Sequence, residues 1–202
     1  MSGSLLAVLA VVLLLVYLAI FVLMHLRPTG YSVVRNAVSD YGVGPTAGLF
    51  RVAVVANSLG ILALTGALAG AFGSGPFSTA DYVILLLIPV TRLAMGFFPT
   101  DVPGERVTTT GRIHLLLAIA SFTFVYLSVA NLTPYLSDIT AEVTGYVLIT
   151  LRWLAAAGLL AVVVTMVAPA LRRVFGLAER VFLLSSNVWF LVVALVIAVR
   201  GS

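Results

Sequence analysis

The sequence predicts an all-α, polytopic transmembrane bundle of six helices with both chain ends on the outer side. Three observations predict it. Of 202 residues, 62 % are hydrophobic and 9 % charged, with a mean hydropathy of +1.20, which leaves too little polar surface to wrap a water-soluble core. Apolar runs approaching or meeting the roughly 20 residues that cross a hydrocarbon core of about 30 Å recur six times. Arginines gather in and beside every second connection between those runs. A soluble enzyme is thereby excluded.

The six runs are 5–26, 49–72, 82–98, 113–132, 144–167 and 181–199, forming a single six-helix domain over 1–202. The first lacks a positive charge ahead of it and is too long for a signal peptide, so it reads as a helix of the mature protein. In the second, Gly66 and Gly70 form a small-xxx-small pair suited to close helix contact. The third is the shortest and carries Arg92, but without it residues 83–89 would have no buried home and the arginine alternation would break. Thr108, Thr109 and Thr110 offer capping hydroxyls ahead of the fourth. The fifth is crowded with Ala155, Ala156, Ala157, Gly158 and Ala161, again a packing signal, and the sixth opens on Ser185, Ser186 and Asn187.

Orientation follows from the basic residues, because positively charged loops stay cytoplasmic. Arg27, Arg35, Arg51, Arg106, Arg112, Arg172, Arg173 and Arg180 belong to the first, third and fifth connections, and the opposite side holds only Arg200. Asp81, Asp138 and Glu142 then fall on the outer surface. The expected location is the inner membrane of a bacterial cell, as a multi-pass protein. All eleven basic residues are Arg and none is Lys; topology accounts for them, and nucleic acid is not an expected partner. With no cysteine, disulfides, thiolate metal sites and cysteine nucleophiles are excluded. Pro28-Thr29 and Pro99-Thr100 at matching positions are the only sign of an inverted repeat of the two halves.

Two connections are informative. The first, 27–48, is longer than a helix link requires. Val34, Ala37, Val38 and Tyr41 fall at helical spacing with Arg35, Asn36, Ser39 and Asp40 opposite, which predicts a short interfacial helix ended by Gly42, Gly44 and Pro45. In the third, Pro99, Pro103 and Gly104 enforce a turn that places Asp101 near His114 at the start of the fourth helix. Asp101 as a turn cap and His114 as a headgroup-level residue is the structural alternative to a catalytic role.

The Ser39-Asp40-Tyr41-Gly42 segment, Asn57, the run Gly96-Phe97-Phe98-Pro99-Thr100-Asp101 and His114 resemble the membrane family catalogued as domain of unknown function 998. The resemblance covers nearly the whole chain. That family is similar, more distantly, to eukaryotic proteins of the FGF-receptor-activating-protein and DRAM group, some of which are linked to lipid remodelling. The resemblance implies no reaction.

Intramembrane ionisable residues are costly and are functional candidates by default. Arg92 and Arg152 qualify, and the six runs contain no Asp or Glu. At about 1.5 Å per residue, Asn57, Ser121, Ser185, Ser186 and Asn187 fall in one layer with Arg92 near the cytoplasmic side. His25, His114, Asp40 and Asp101 lie above it. Turned inward, these residues make a cytoplasm-facing pocket with a cation at its floor. The ligand-binding candidates are therefore Arg92, Asn57, Ser121, Ser186, Asn187 and Arg152; the catalytic candidates are His25, His114, Asp40 and Asp101.

The first functional expectation is binding or movement of an anionic, lipid-like amphiphile whose headgroup meets Arg92, since the guanidinium fork matches phosphate or carboxylate. The alternatives are an intramembrane lipid hydrolase or transferase using the His and Asp residues, and a non-catalytic partner or regulator. Two His and two Asp could ligate zinc, but no HxxxH-like spacing backs it, and a haem between His25 and His114 is only geometrically allowed. Neither metal nor cofactor is expected. The expected partners are membrane lipids, the amphiphile itself, and a membrane protein or further copies of the chain.

Overall fold

The computed structural model describes residues 3–73, 75–101, 104 and 106–200. Among them six α-helices follow one another: α1 (Gly3–Leu26), α2 (Ala47–Phe72), α3 (Thr79–Met95), α4 (Thr109–Ile139), α5 (Glu142–Val167) and α6 (Phe175–Arg200). All but α3 are long and apolar enough to cross a membrane. With 17 residues, α3 reaches only about 26 Å, short of a full hydrocarbon core.

Large apolar side chains cover the outside of the bundle as well as filling its core, and many polar ones are buried. Leu5, Val8, Val12 and Leu15 of α1 and Leu160 and Val163 of α5 are exposed, whereas Asn57, Ser58, Ser121, Ser128, Thr133 and Ser186 are buried. Lipid tolerates the first group, and the bundle interior satisfies the second. Ser58, Thr65, Ser128 and Thr133 each donate to the carbonyl four residues earlier in their own helix, at 2.5–2.9 Å.

Local chemistry sets the helix boundaries, and three helices depart from the apolar runs by three residues or more. α3 starts at a capping box: Ser78 Oγ accepts from Asp81 N at 3.2 Å, and Asp81 Oδ2 accepts from Ser78 N at 2.9 Å. Thr108 caps α4 by accepting from Gly111 N at 3.0 Å, and the helix continues past residue 132 through Pro134 to Ile139. Neighbouring helices can compensate an internal proline's missing N–H in a membrane bundle, so the proline does not end it. α6 begins at Phe175, six residues before the apolar run, which draws Glu179 and Arg180 inside the helix and buries both. The six apolar runs hold no carboxylate, but the sixth helix as formed takes in Glu179 and buries it.

α1 packs on α2 and α6, α3 sits between α2 and α4, and α5 lies against α4 and α6. The start of α1 meets the end of α2: a Cβ on Gly70 would stand 3.2 Å from Gly3 Cα. The Gly66-Gly70 stripe thus serves contact within the chain. Successive helices alternate in direction, so the first, third and fifth connections share the arginine-rich end.

The first connection departs from the amphipathic helix expected there. It forms two short 3-10 turns, Val38–Gly42 and Gly44–Thr46, and Asp40, placed on the outer face by helical spacing, is buried with Val38 and Tyr41. Gly44 at φ 72° followed by Pro45 cannot continue a helix. Instead the segment folds onto α6: Leu177 N donates to Val34 O at 3.1 Å, Arg180 Nη1 to Asn36 O at 2.7 Å, and Val38 N to Glu179 Oε2 at 2.6 Å. Gly176 permits this approach, because a Cβ there would stand 2.3 Å from Asn36 O. In the third connection, Val102, Pro103 and Glu105 of the expected turn lie outside the described residues.

Candidate functional site

A chain of polar side chains crosses four helices. Arg92, in the last turn of α3, extends back along its helix and donates from Nη1 to Asn57 Oδ1 of α2 and from Nε to Ser121 Oγ of α4 at 3.4 Å. With its oxygen taken, Asn57 donates from Nδ2 to Asn187 Oδ1 of α6 at 2.5 Å, and Asn187 donates in turn to Leu183 O at 2.7 Å. The two amide orientations are mutually consistent, since each oxygen faces a donor and each nitrogen an acceptor. Arg92 is 6 % exposed, both its partners are neutral, and among the described residues its Nη2 has no partner.

That guanidinium lines a cavity of about 90 Å³ walled by Tyr17 and Phe21 of α1, Asn57 of α2, His114 and Ser121 of α4 and Glu179 of α6. Val38 and Ser39 of the first connection line it as well. A second, larger space of about 580 Å³ runs along α4 and α5, with Leu115, Ile119, Leu159, Val162 and Val163 on its apolar walls and Arg35, Asp40, Asp101 and Arg172 at its polar end. Ser39, His114, Ala118, Phe122 and Glu179 border both.

The structure therefore brings Arg92, Asn57 and Ser121 to one cavity, with Asn187 joined to it through Asn57. Ser186 turns its hydroxyl onto its own helix, donating to Phe182 O at 2.7 Å. Arg152 lies elsewhere on α5, part-exposed beside Trp153, with its guanidinium carbon 5.9 Å from that ring centroid.

The four catalytic candidates occupy different environments. His25 borders neither space: its Nδ1 faces Phe21 O at 2.6 Å and its Nε2 accepts from Arg180 Nε at 2.7 Å. A carbonyl can only accept and an arginine can only donate, so His25 is the neutral Nδ1–H tautomer with both nitrogens engaged. His114 likewise donates from Nδ1 to Phe98 O, at 2.7 Å, which leaves Nε2 as the basic nitrogen of a ring that lines both spaces. Asp40 accepts from Asn36 Nδ2 at 2.9 Å and Ala37 N at 3.1 Å. Burial pushes its carboxyl above the usual range, opposed by those hydrogen bonds and by Arg180. No group of three or more His, Asp or Glu converges to hold a metal ion among the described residues.

Asp101 closes the turn before α4. Its carboxylate accepts from Thr108 Oγ1 at 2.7 Å and Thr108 N at 2.9 Å, and these bonds hold it below the usual carboxylate range. A depressed pKa means that the contact is complete above the unfolded value, near 4, and fades as pH falls through the lowered one. Hydrogen exchange should accordingly show Thr108 N–H protected at pH 5 and losing protection only below about pH 4. Asp101→Ala should remove that protection at every pH; unchanged protection in the variant would refute the assignment.

Glu179 and Arg180 are the residues that hydropathy missed. Phe175, Ala178, Phe182, Trp189 and Val193 recur on one helical face, and this period extends the sixth helix back across both charges. Arg180 also leaves Nη2 without a partner among the described residues, but it borders neither space. The family described as "Protein of unknown function (DUF998)" matches residues 8–196. No curated protein and no solved structure matches.

Proposed function

The chain belongs to the DUF998 family, whose description assigns no activity, and we propose on that premise that it is a membrane protein binding an anionic, lipid-like amphiphile in the cavity floored by Arg92. One observation carries this reading: a buried guanidinium, hydrogen-bonded only to neutral groups, keeps its Nη2 without a partner among the described residues. An uncompensated buried charge is expensive, on the order of 3–5 kcal/mol when a partner is removed from a pair. A carboxylate or phosphate in the cavity supplies the missing acceptor and the opposite charge together. The arginine-rich end faces the cytoplasm in this reading, which puts the cavity in the inner leaflet of the cell membrane.

The test is retention of lipid through mild extraction, read by mass spectrometry. Arg92→Gln keeps an amide able to bond Asn57 and removes the charge; it should lose most of the bound anionic amphiphile. Arg173→Ala, at an exposed arginine of the same end that borders neither space, should retain it. Equal retention in the two variants would overturn the proposal.

A second reading, hydrolysis or acyl transfer on the same lipid, has His114 Nε2 in its favour, a basic nitrogen of a ring that lines both cavity and groove. It calls for release of labelled fatty acid from an ester lipid by the wild type and not by His114→Gln. Without such release the binding reading stands alone.

A further inference from the structure

We infer that the ligand is a single-chain carboxylate, a fatty acid, with its carboxylate at Arg92 and its chain in the groove between α4 and α5, reached sideways from the bilayer. The inference rests on the binding reading above and narrows it to one chemical class and one route.

Size separates a carboxylate from a phospholipid headgroup. A cavity of about 150 Å³ is filled by one benzene ring, and the space at Arg92 is about 90 Å³. A carboxylate with its first methylene matches such a space better than a glycerophosphate does. Charge agrees with size. The cavity offers a single guanidinium, whose Nη2 has no partner among the described residues, while the Glu179 carboxyl lines the same cavity, its Oε2 engaged by Val38 N. One negative charge is matched there, whereas the second charge of a phosphate monoester would face Glu179.

The route follows from what lines each side. Toward the aqueous end, Val38 and Ser39 line the cavity, and their segment is fastened to α6 through Glu179 and Arg180. Toward α4 the cavity and the groove adjoin, with Ala118 and Phe122 as walls of both. The outer wall of that groove is made of Leu115, Ile119 and Val163, each 45–50 % exposed on the surface that meets lipid. An alkyl chain lying there exchanges lipid neighbours for apolar side chains, and its carboxylate gains a partner that the bilayer interior does not supply.

A chain bearing a mid-chain diazirine on a 16-carbon fatty acid tests this in the purified wild-type protein. Adducts are expected on residues 115–123 of α4 and 159–166 of α5, and adducts confined to other helices would overturn the route. In titrations followed by native mass spectrometry, the 16-carbon carboxylate should bind at least tenfold tighter than the 16-carbon alcohol and than 16-carbon lysophosphatidate. Ala118→Trp, on the wall common to the two spaces, should weaken the carboxylate at least tenfold, and Leu195→Trp, on the exposed side of α6, should not. Lysophosphatidate binding as tightly as the carboxylate would defeat the inference while leaving the anionic-amphiphile reading intact. Binding of neither anion, together with equal lipid retention in Arg92→Gln, would defeat both.

Discussion

Asn57→Ala should destabilise the bundle by about 3 kcal/mol or more, while Asn187→Ala costs closer to 1. The two residues bond each other, yet they do not stand in equivalent places. Interhelical hydrogen bonds between neutral groups in membranes average only about 0.6 kcal/mol, because the separated helices also find partners. Losing Asn187 removes one such bond and strands a neutral amide. Losing Asn57 also uncovers Arg92 Nη1, and stripping a buried charge of its partner costs about 3–5 kcal/mol. The charge decides the difference. Thermal unfolding in a mild detergent, followed by helical circular dichroism, separates the two variants. Equal losses would show that Arg92 has another partner or is hydrated, and the case for a ligand at its Nη2 would weaken with it.

Gly158→Leu should prevent α5 from seating on α6. A Cβ at Gly158 would stand 2.6 Å from Phe182 N and 2.8 Å from Phe182 Cα, and backbone cannot step aside as a flexible side chain can. Overpacking ordinarily costs about 1–3 kcal/mol; with backbone on the other side, Gly158→Ala should reach the upper part of that range and Gly158→Leu exceed it. Phe182 also packs against Phe122 of α4, the two rings tilted with their centroids 4.7 Å apart, so a shift of α6 would travel into the wall shared by the cavity and the groove. Size-exclusion elution and proteolysis in detergent would report the loosened α5. Wild-type melting in Gly158→Leu would show that this contact is not a close one.

The bundle was largely legible in the sequence because a bilayer asks little of it: enough apolar residues in a row, and arginines on alternate connections. Boundaries were less legible, since hydropathy ends where charges begin and helices do not. The sixth helix shows this best. Its first turns bear Glu179 and Arg180, which read as connection residues by charge, although the apolar period through Phe175 and Ala178 crosses them. The polar layer was legible for the same reason that it is costly: Arg92, Asn57 and Ser121 stand out against an apolar background, and depth arithmetic brought them to one level. Facing direction was not. Arg152 stands out equally and lies apart from the cavity, and Ser186 spends its hydroxyl on its own helix. The first connection escaped reading because its conformation is imposed by partners more than a hundred residues away, where Glu179 and Arg180 receive it, and a local period of apolar residues carries no trace of that.

The span between those partners bears on biogenesis. Asn57 and Asn187 are 130 residues apart, Val38 and Glu179 141, so a nascent chain that has placed its first five helices in the membrane still lacks one wall of the cavity and the anchor of its first connection. Arg92 then waits with Asn57 and Ser121 until the final helix leaves the ribosome. Chains stalled before residue 179 should be the species that quality-control proteases find first, with an arginine accessible to water that completion would hide.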